Sequence, residues 1–128
     1  MKVLLLTSGA KSHGATQSIL ETIREVLPDG WEEDMVRLGE LDVHFCRGCK
    51  VCYETCTCVQ KDDVQTLLSR MDEADVLIIA APSYWGDIPA QFKAFIDRCT
   101  PYSNTCPNPA HKTLRSGKKC FGVALRAG

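Results

Sequence analysis

Two stretches of this chain are apolar without a break: VLLL at Val3–Leu6 and VLIIAAP at Val76–Pro82. A half-buried strand alternates apolar with polar residues, and these do not, so each reads as a strand covered on both faces. Both runs are far too short to cross a bilayer. Helices are the natural cover, and the sequence supplies them. Ala15–Leu27 carries Ile19, Leu20, Ile23, Val26 and Leu27 at helical spacing, and Pro28-Asp29-Gly30 closes it. Trp31–Leu38 reads as another strand. Val64, Leu67, Leu68 and Met71 form the stripe of a second helix, with Asp62 and Gln65 spaced as a capping box. Ile88, Phe92, Phe95 and Ile96 mark a third helix. Thr100–Gly117, with three of the six prolines, reads as loop, and Lys119–Leu125 as a last strand. Strand–helix alternation of this kind predicts a doubly wound parallel sheet in a three-layer α/β/α arrangement. The 128 residues make one domain's worth, with a cysteine-rich insertion at 44–61.

Composition narrows the function. The formal net charge is −1 and the Lys and Arg residues are scattered, which gives no footprint for nucleic acid. The N-terminus lacks the long apolar region and cleavage site of an export signal, so a cytoplasmic, reducing setting is expected, with no membrane partner. In open parallel sheets ligands sit beyond the carboxyl ends of the strands, which directs attention to the loops after Leu6, Ala81 and Leu125.

The first of these loops, Thr7 to Gln17, holds two glycines and several hydroxyl groups before a helix start. Such a loop can hold a phosphate on free backbone N–H groups, or it can be a plain capped turn. The GxGxxG fingerprint is absent. The Walker A pattern fails too, because Ala10-Lys11-Ser12 lacks both its glycines. There is no cysteine before Cys46 to serve as a phosphatase nucleophile. The second loop, Pro82 to Ala90, sets Tyr84 and Trp85 beside Gly86. It could face a flat aromatic cofactor, or its aromatics could belong to a core or an interface.

The segment His44–Asp63, HFCRGCKVCYETCTCVQKDD, holds five of the eight cysteines. In a reducing compartment such a cluster is a metal site or a redox group rather than a disulfide knot. Lys50 and Tyr53 stand where haem attachment would need His. A second ligand pair spaced for structural zinc does not follow. Three cysteines at two-residue intervals, Cys46, Cys49 and Cys52, suit one face of a cubane iron–sulfur cluster. Cys56 and Cys58 both remain as a fourth ligand on spacing. Asp62 at a helix start would anchor the Cys58 end of the loop. Cys99 and Cys120 read as packed thiols, and His13 and His44 as a solvated and a partly packed residue.

Thr7-Ser8-Gly9-Ala10-Lys11-Ser12-His13-Gly14-Ala15-Thr16, Pro82-Ser83-Tyr84-Trp85-Gly86 and Gln91–Arg98 together resemble the flavodoxin-like NADPH-dependent FMN reductase family. The cysteine run, closing at Cys58 before Lys61-Asp62-Asp63, resembles the iron–sulfur flavoproteins of that group. The resemblance implies that Ser8, Ser12, Gly14, Ala15 and Thr16 cradle an FMN phosphate. It implies that Pro82, Ser83, Tyr84, Trp85 and Gly86 line the flavin ring. It also implies that Cys46, Cys49, Cys52 and Cys58 hold a [4Fe-4S] cluster, with Cys56 spare. Two departures stand out. Ala15 replaces the Asn of many relatives, and the family continues through a further strand and helix that this chain lacks, so that the loop Arg126-Ala127-Gly128 is its terminus.

The function so implied is an FMN-dependent oxidoreductase or electron-transfer flavoprotein passing electrons between FMN and the cluster. NAD(P)H or a ferredoxin-like protein would be the donor, and the protein would be a homo-oligomer. Asp87, Asp97 and Arg98 are then charges near the ring site, or simple surface charges. The alternatives are an NAD(P)H-dependent FMN reductase without a cluster, or a non-catalytic thiol or metal module on the same scaffold.

Overall fold

A computed structural model describes residues 1–126. Four parallel strands form its sheet: β1 (Lys2–Thr7), β2 (Glu32–Arg37), β3 (Val76–Pro82) and β4 (Lys119–Leu125), in the order β2-β1-β3-β4. Four helices connect them: α1 (Ala15–Glu25), α2 (Val51–Thr55), α3 (Val64–Glu73) and α4 (Ala90–Asp97). The doubly wound parallel sheet expected from the apolar runs is therefore present, in the flavodoxin-like form that the resemblance implies.

The unbroken apolar runs become the two central strands. Val3, Leu4, Leu5 and Leu6 are all fully buried, which contributes about 2 kcal/mol for each leucine relative to exposure. Alternate residues serve opposite layers. Leu4, Leu6 and Leu77 pack with Val64, Leu67, Leu68 and Met71 of α3 and Phe95 of α4. Val3, Leu5, Val76 and Ile78 pack with Leu20 and Ile23 of α1. A one-residue slip in register would exchange the two layers, so the packing itself fixes the pairing Leu4↔Leu77 and Leu5↔Ile78.

Three expectations are corrected. Helix α1 ends at Glu25, short of Leu27, and Val26 is exposed. The proposed capping box at α3 does not form. Asp63 is the N-cap residue, Asp62 Oδ1 accepts from the Val64 N–H at 3.3 Å, and Gln65 Nε2 is buried without a partner. The Asp62 carboxylate is engaged by stronger donors, described below. Cys120, read as packed, is exposed, because β4 is the edge of the sheet and carries little cover: Phe121 beside it is 55% exposed.

Candidate functional site

The strand order reverses direction between β1 and β3: β1 leads outward to β2, and β3 leads the other way to β4. The loops after these two strands diverge there and leave a crevice at the carboxyl edge. A cavity of about 400 Å³ occupies it, lined by Gly9, Lys11, Thr16, Ser83, Tyr84 and Leu125 among others. That volume lies in the range of small-molecule sites.

One wall is the start of α1. The first backbone bond into the helix is from the Ser18 N–H to the Gly14 carbonyl, at 3.0 Å. The N–H groups of Ala15, Thr16 and Gln17 precede it and have no helical acceptor. The cap residue Gly14 has no side chain to occupy them, and the first turn carries no acidic residue. Unpaired donors at the positive end of the helix dipole favour an anion. The approach to this turn is tight. Thr7 Oγ1 donates to Thr16 Oγ1 at 3.0 Å and accepts from the Gly9 N–H at 3.2 Å. A Cβ on Gly9 would lie 2.3 Å from Thr16 Oγ1, so any larger residue here would force the Thr16 side chain or the backbone to shift. Ser8 is 1% exposed, and its hydroxyl has no hydrogen-bond partner.

The other wall follows β3. The Ser83 N–H donates to the Leu125 carbonyl at 2.7 Å, which ties the ends of β3 and β4 together at the cavity mouth. Tyr84 and Asp87 then form a two-residue hairpin, with paired backbone bonds of 2.9 and 3.0 Å. Trp85 (φ 54°) and Gly86 (φ 81°) occupy its two central positions, the left-handed pair of a type I′ turn. Gly86 takes that conformation freely; Trp85 takes it at a cost of about 1 kcal/mol. The turn lifts Trp85 into full exposure at the hairpin tip.

Of the ten residues expected around a flavin, Gly14, Ala15, Thr16, Pro82, Ser83 and Tyr84 line this one cavity. Ser12 is exposed on the loop, Ser8 lies buried beneath it, and Trp85 and Gly86 stand at the tip. Of the terminal loop, Arg126 is exposed, while Ala127 and Gly128 lie outside the described residues.

A model of the NADPH-dependent FMN reductase family matches residues 1–124. The chain belongs to the NADPH-dependent FMN reductase family. Its relatives place it with the iron–sulfur flavoproteins of that group. It is 30% identical over 129 residues to an iron–sulfur flavoprotein of Archaeoglobus fulgidus, an alignment covering all of this chain and 56% of the relative. It is 32% identical over 102 residues to one from Methanocaldococcus jannaschii, covering 79% of this chain and 53% of the relative. The chain thus spans about half the length of the curated relatives it matches. Its fold is shared with an NAD(P)H:quinone oxidoreductase from Methanothermobacter marburgensis (TM-score 0.72, 20% identity, 98% of this chain and 65% of the other). A Bacillus anthracis FMN-dependent azoreductase solved with FMN is also similar (TM-score 0.68, 12% identity, 100% of this chain and 70% of the other).

The cysteine segment of this family member is built differently from its crevice. Gly48 and Lys50 are left-handed, which turns the chain tightly into the short helix α2, and left-handed Cys56 ends that helix. Cys46 and Cys49 are exposed, and Cys52 and Cys58 are partly buried. Burial, reinforced by the nearness of the Cys58, Cys46 and Cys49 thiols, pushes the Cys52 thiol above its ordinary value. These are the four cysteines of the proposed ligand set, and Cys56 is not among those neighbours. Among the described residues, no three metal-capable side chains converge as a single ion would require. A cubane takes one cysteine per iron, so its four sulfurs surround a volume instead of meeting at a point. By its chemistry, a set of soft sulfur donors on one short segment is the kind that iron–sulfur groups use.

Several long-range side-chain bonds hold this segment. Gln60 Nε2 donates to the Phe45 carbonyl at 3.0 Å, and Asn108 Nδ2 donates to the Glu54 carbonyl at 2.8 Å. Asp63 Oδ2 accepts from the Asp42 N–H at 2.7 Å. The strongest tie comes from Arg98, at the end of α4. Its side chain is 1% exposed, and the Asp62 carboxylate opposite it is fully buried. Arg98 Nη1 and Nη2 donate to the two Asp62 oxygens at 2.7 and 3.0 Å. Nη1 also donates to the His44 carbonyl at 2.9 Å, and Nε to Cys58 Sγ at 3.1 Å. Burial alone would raise the Asp62 carboxyl; the bonds from Arg98, the His44 N–H and the Val64 N–H outweigh it and hold the group below the ordinary carboxylate value. Arg98 is thus neither a ring-site nor a surface charge, which corrects that expectation. No local signal marked this role, because the partners of Arg98 lie 36 to 54 positions away in sequence.

Cys99 is separate from this group. Its thiol donates to the Phe95 carbonyl at 3.3 Å, and burial pushes it up to about 12. It is a packed thiol, as expected.

Proposed function

We propose that this chain serves a flavin-dependent oxidoreductase activity that passes electrons between FMN and a [4Fe-4S] cluster. The observation that carries this reading is the crevice at the β1/β3 switch point. It is walled on one side by unpaired N–H donors and on the other by the loop of Ser83 and Tyr84. A monophosphate cradle and a flat apolar wall are the two parts that FMN requires, and the four interacting thiols lie on the same chain.

Within that reading each residue has a task. The N–H groups of Ala15, Thr16 and Gln17 and the free hydrogen of the Thr16 hydroxyl bind the phosphate, with Ser12, Gly14 and Ser8 shaping the loop. Lys11 at the cavity edge adds positive charge. Pro82, Ser83 and Tyr84 meet the ring, with Trp85 and Gly86 at its rim. When bound, FMN supplies exchange between two-electron and one-electron steps. Cys46, Cys49, Cys52 and Cys58 hold the one-electron group. No general base or nucleophile of the protein is needed. NAD(P)H or a ferredoxin-like protein is the donor, and the complete protein is a homo-oligomer.

The test is the visible spectrum of protein purified without oxygen, followed by heat release and mass determination of the flavin. Two flavin bands, a broad shoulder near 400 nm that travels with about four irons, and FMN as the released species are expected. Recovery of FAD would overturn the phosphate-cradle assignment. A flavin spectrum with no iron would leave an FMN reductase without a cluster.

A further inference from the structure

The Arg98–Asp62 pair has a role beyond joining α4 to the cysteine segment. Four of the five N–H hydrogens of Arg98 are accounted for by Asp62, the His44 carbonyl and Cys58 Sγ. The guanidinium is therefore fixed in one orientation, with its Nε–H aimed at a sulfur. Its charge and that of Asp62 nearly cancel, and both side chains are buried. Such a pair is costly to bury, and replacing it with apolar residues is often stabilising. Of the other ties, Gln60 and Asp63 close the segment on itself and Asn108 joins it to the loop before β4, and none of these bonds is made to a sulfur. The one feature those ties lack is the N–H···S bond.

We infer that Arg98 is a positioning residue that fixes Cys58 as a cluster ligand and, with Asp62, sets the reduction potential of the cluster. This inference rests on the cluster reading proposed above. An electron delivered by a reduced flavin, or by dithionite in a titration, adds one negative charge to the iron–sulfur–thiolate unit, and no proton or bond is exchanged. The Arg98 Nε–H stabilises that added charge at the Cys58 sulfur, which raises the potential. The Asp62 carboxylate opposes it by offsetting the guanidinium charge. The two partners of one ion pair therefore act with opposite sign, which a purely structural clasp cannot do.

The experiment is a redox titration, monitored by electron paramagnetic resonance, of protein reconstituted with iron and sulfide under anaerobic conditions. Arg98→Lys keeps the charge but loses the Nε–H, and Asp62→Asn leaves the guanidinium uncompensated. The expected result is a potential at least tenfold less favourable to reduction in Arg98→Lys, or 59 mV for one electron, and a raised potential in Asp62→Asn. Unchanged potentials, or shifts of the same sign in both variants, overturn the inference while leaving the cluster reading intact. Failure of the wild type to bind iron overturns both. A second measurement uses protein with the wild-type Arg98–Asp62 pair, so it does not depend on the folding of either variant. Arginine is labelled with ¹⁵N in an Arg47→Lys background, and pulsed resonance of the reduced cluster is recorded. A ¹⁵N coupling is expected from Arg98; its absence overturns the inference.

Discussion

The crevice and the cysteine segment differ in what fixes them. The crevice is a product of backbone. It lies where parallel strands diverge, its donors are N–H groups at a helix start, and its tightest passage is set by the missing Cβ of Gly9. The cysteine segment contains no strand, and its only helix is the five-residue α2. It is held by side chains that reach across 15 to 54 positions of sequence. One site is inherited from the fold. The other is attached to it by side chains, Arg98 foremost.

The sharpest break in this comparison is at the sulfurs. Cys58→Ser should abolish the iron chromophore, whereas Cys56→Ser should leave it nearly intact, because Cys56 is buried at the end of α2 while Cys58 is partly exposed beside Arg98. Both variants should keep their flavin. Iron content and absorbance of anaerobic preparations decide this, and loss of iron in Cys56→Ser but not in Cys58→Ser reverses the assignment.

Next in size is Arg98→Met. It leaves the buried Asp62 carboxylate without its partner, a loss of about 3–5 kcal/mol when one side of a buried pair is removed. The melting temperature should fall, and limited proteolysis should cut first within 44–63. If cleavage instead begins around Thr7–Gly14, the segment is not held by this pair.

Gly9→Ala tests the other site. The new Cβ would meet Thr16 Oγ1 at 2.3 Å, and relieving that overlap by local shifts should cost about 1–3 kcal/mol and weaken flavin binding. Adding Thr16→Ala removes the obstructing atom. The double variant should recover stability but not flavin affinity, because the hydroxyl is gone. Full recovery of both, read by thermal melting and flavin titration, would show that Thr16 has no part in binding.

The same division explains what could be read in advance. VLLL and VLIIAAP announced β1 and β3, and with them the layers, because an unbroken apolar run has few other uses in a chain of this length. The crevice followed from strand order. The cysteine spacing was equally plain, since ligands close in sequence show their pattern directly. What could not be read was how the segment is anchored. The bond from Arg98 to Cys58 spans 40 positions, and no local pattern encodes such a contact. The capping box failed for the same reason: Asp62 has the right spacing to Gln65, but a buried guanidinium 36 positions away engages it more strongly. Cys120 was misread because burial of an edge strand depends on cover that its own sequence does not specify.

The smallest expected effect is that of acid, and it separates the two sites without mutation. Asp62 titrates below the ordinary carboxylate value in the folded chain, so the folded state binds its proton less readily than the unfolded state does. Its contribution to stability is therefore complete above the unfolded value of about 3.9. It diminishes as pH falls below that value and is gone once pH has passed through the lowered folded value. The groups facing Asp62 are Arg98, which stays charged throughout, and His44, whose Nδ1 lies 3.7 Å away and whose Nε2 lies 3.0 Å from Asp42. The crevice contacts among Thr7, Gly9 and Thr16 contain no group that titrates in acid. Hydrogen exchange corrected for intrinsic rates should therefore show residues 44–63 losing protection relative to 7–16 only below about pH 4. In Asp62→Asn the two segments should respond to pH in parallel. Divergence already at pH 5 to 6 would show that Asp62 is not the group responsible.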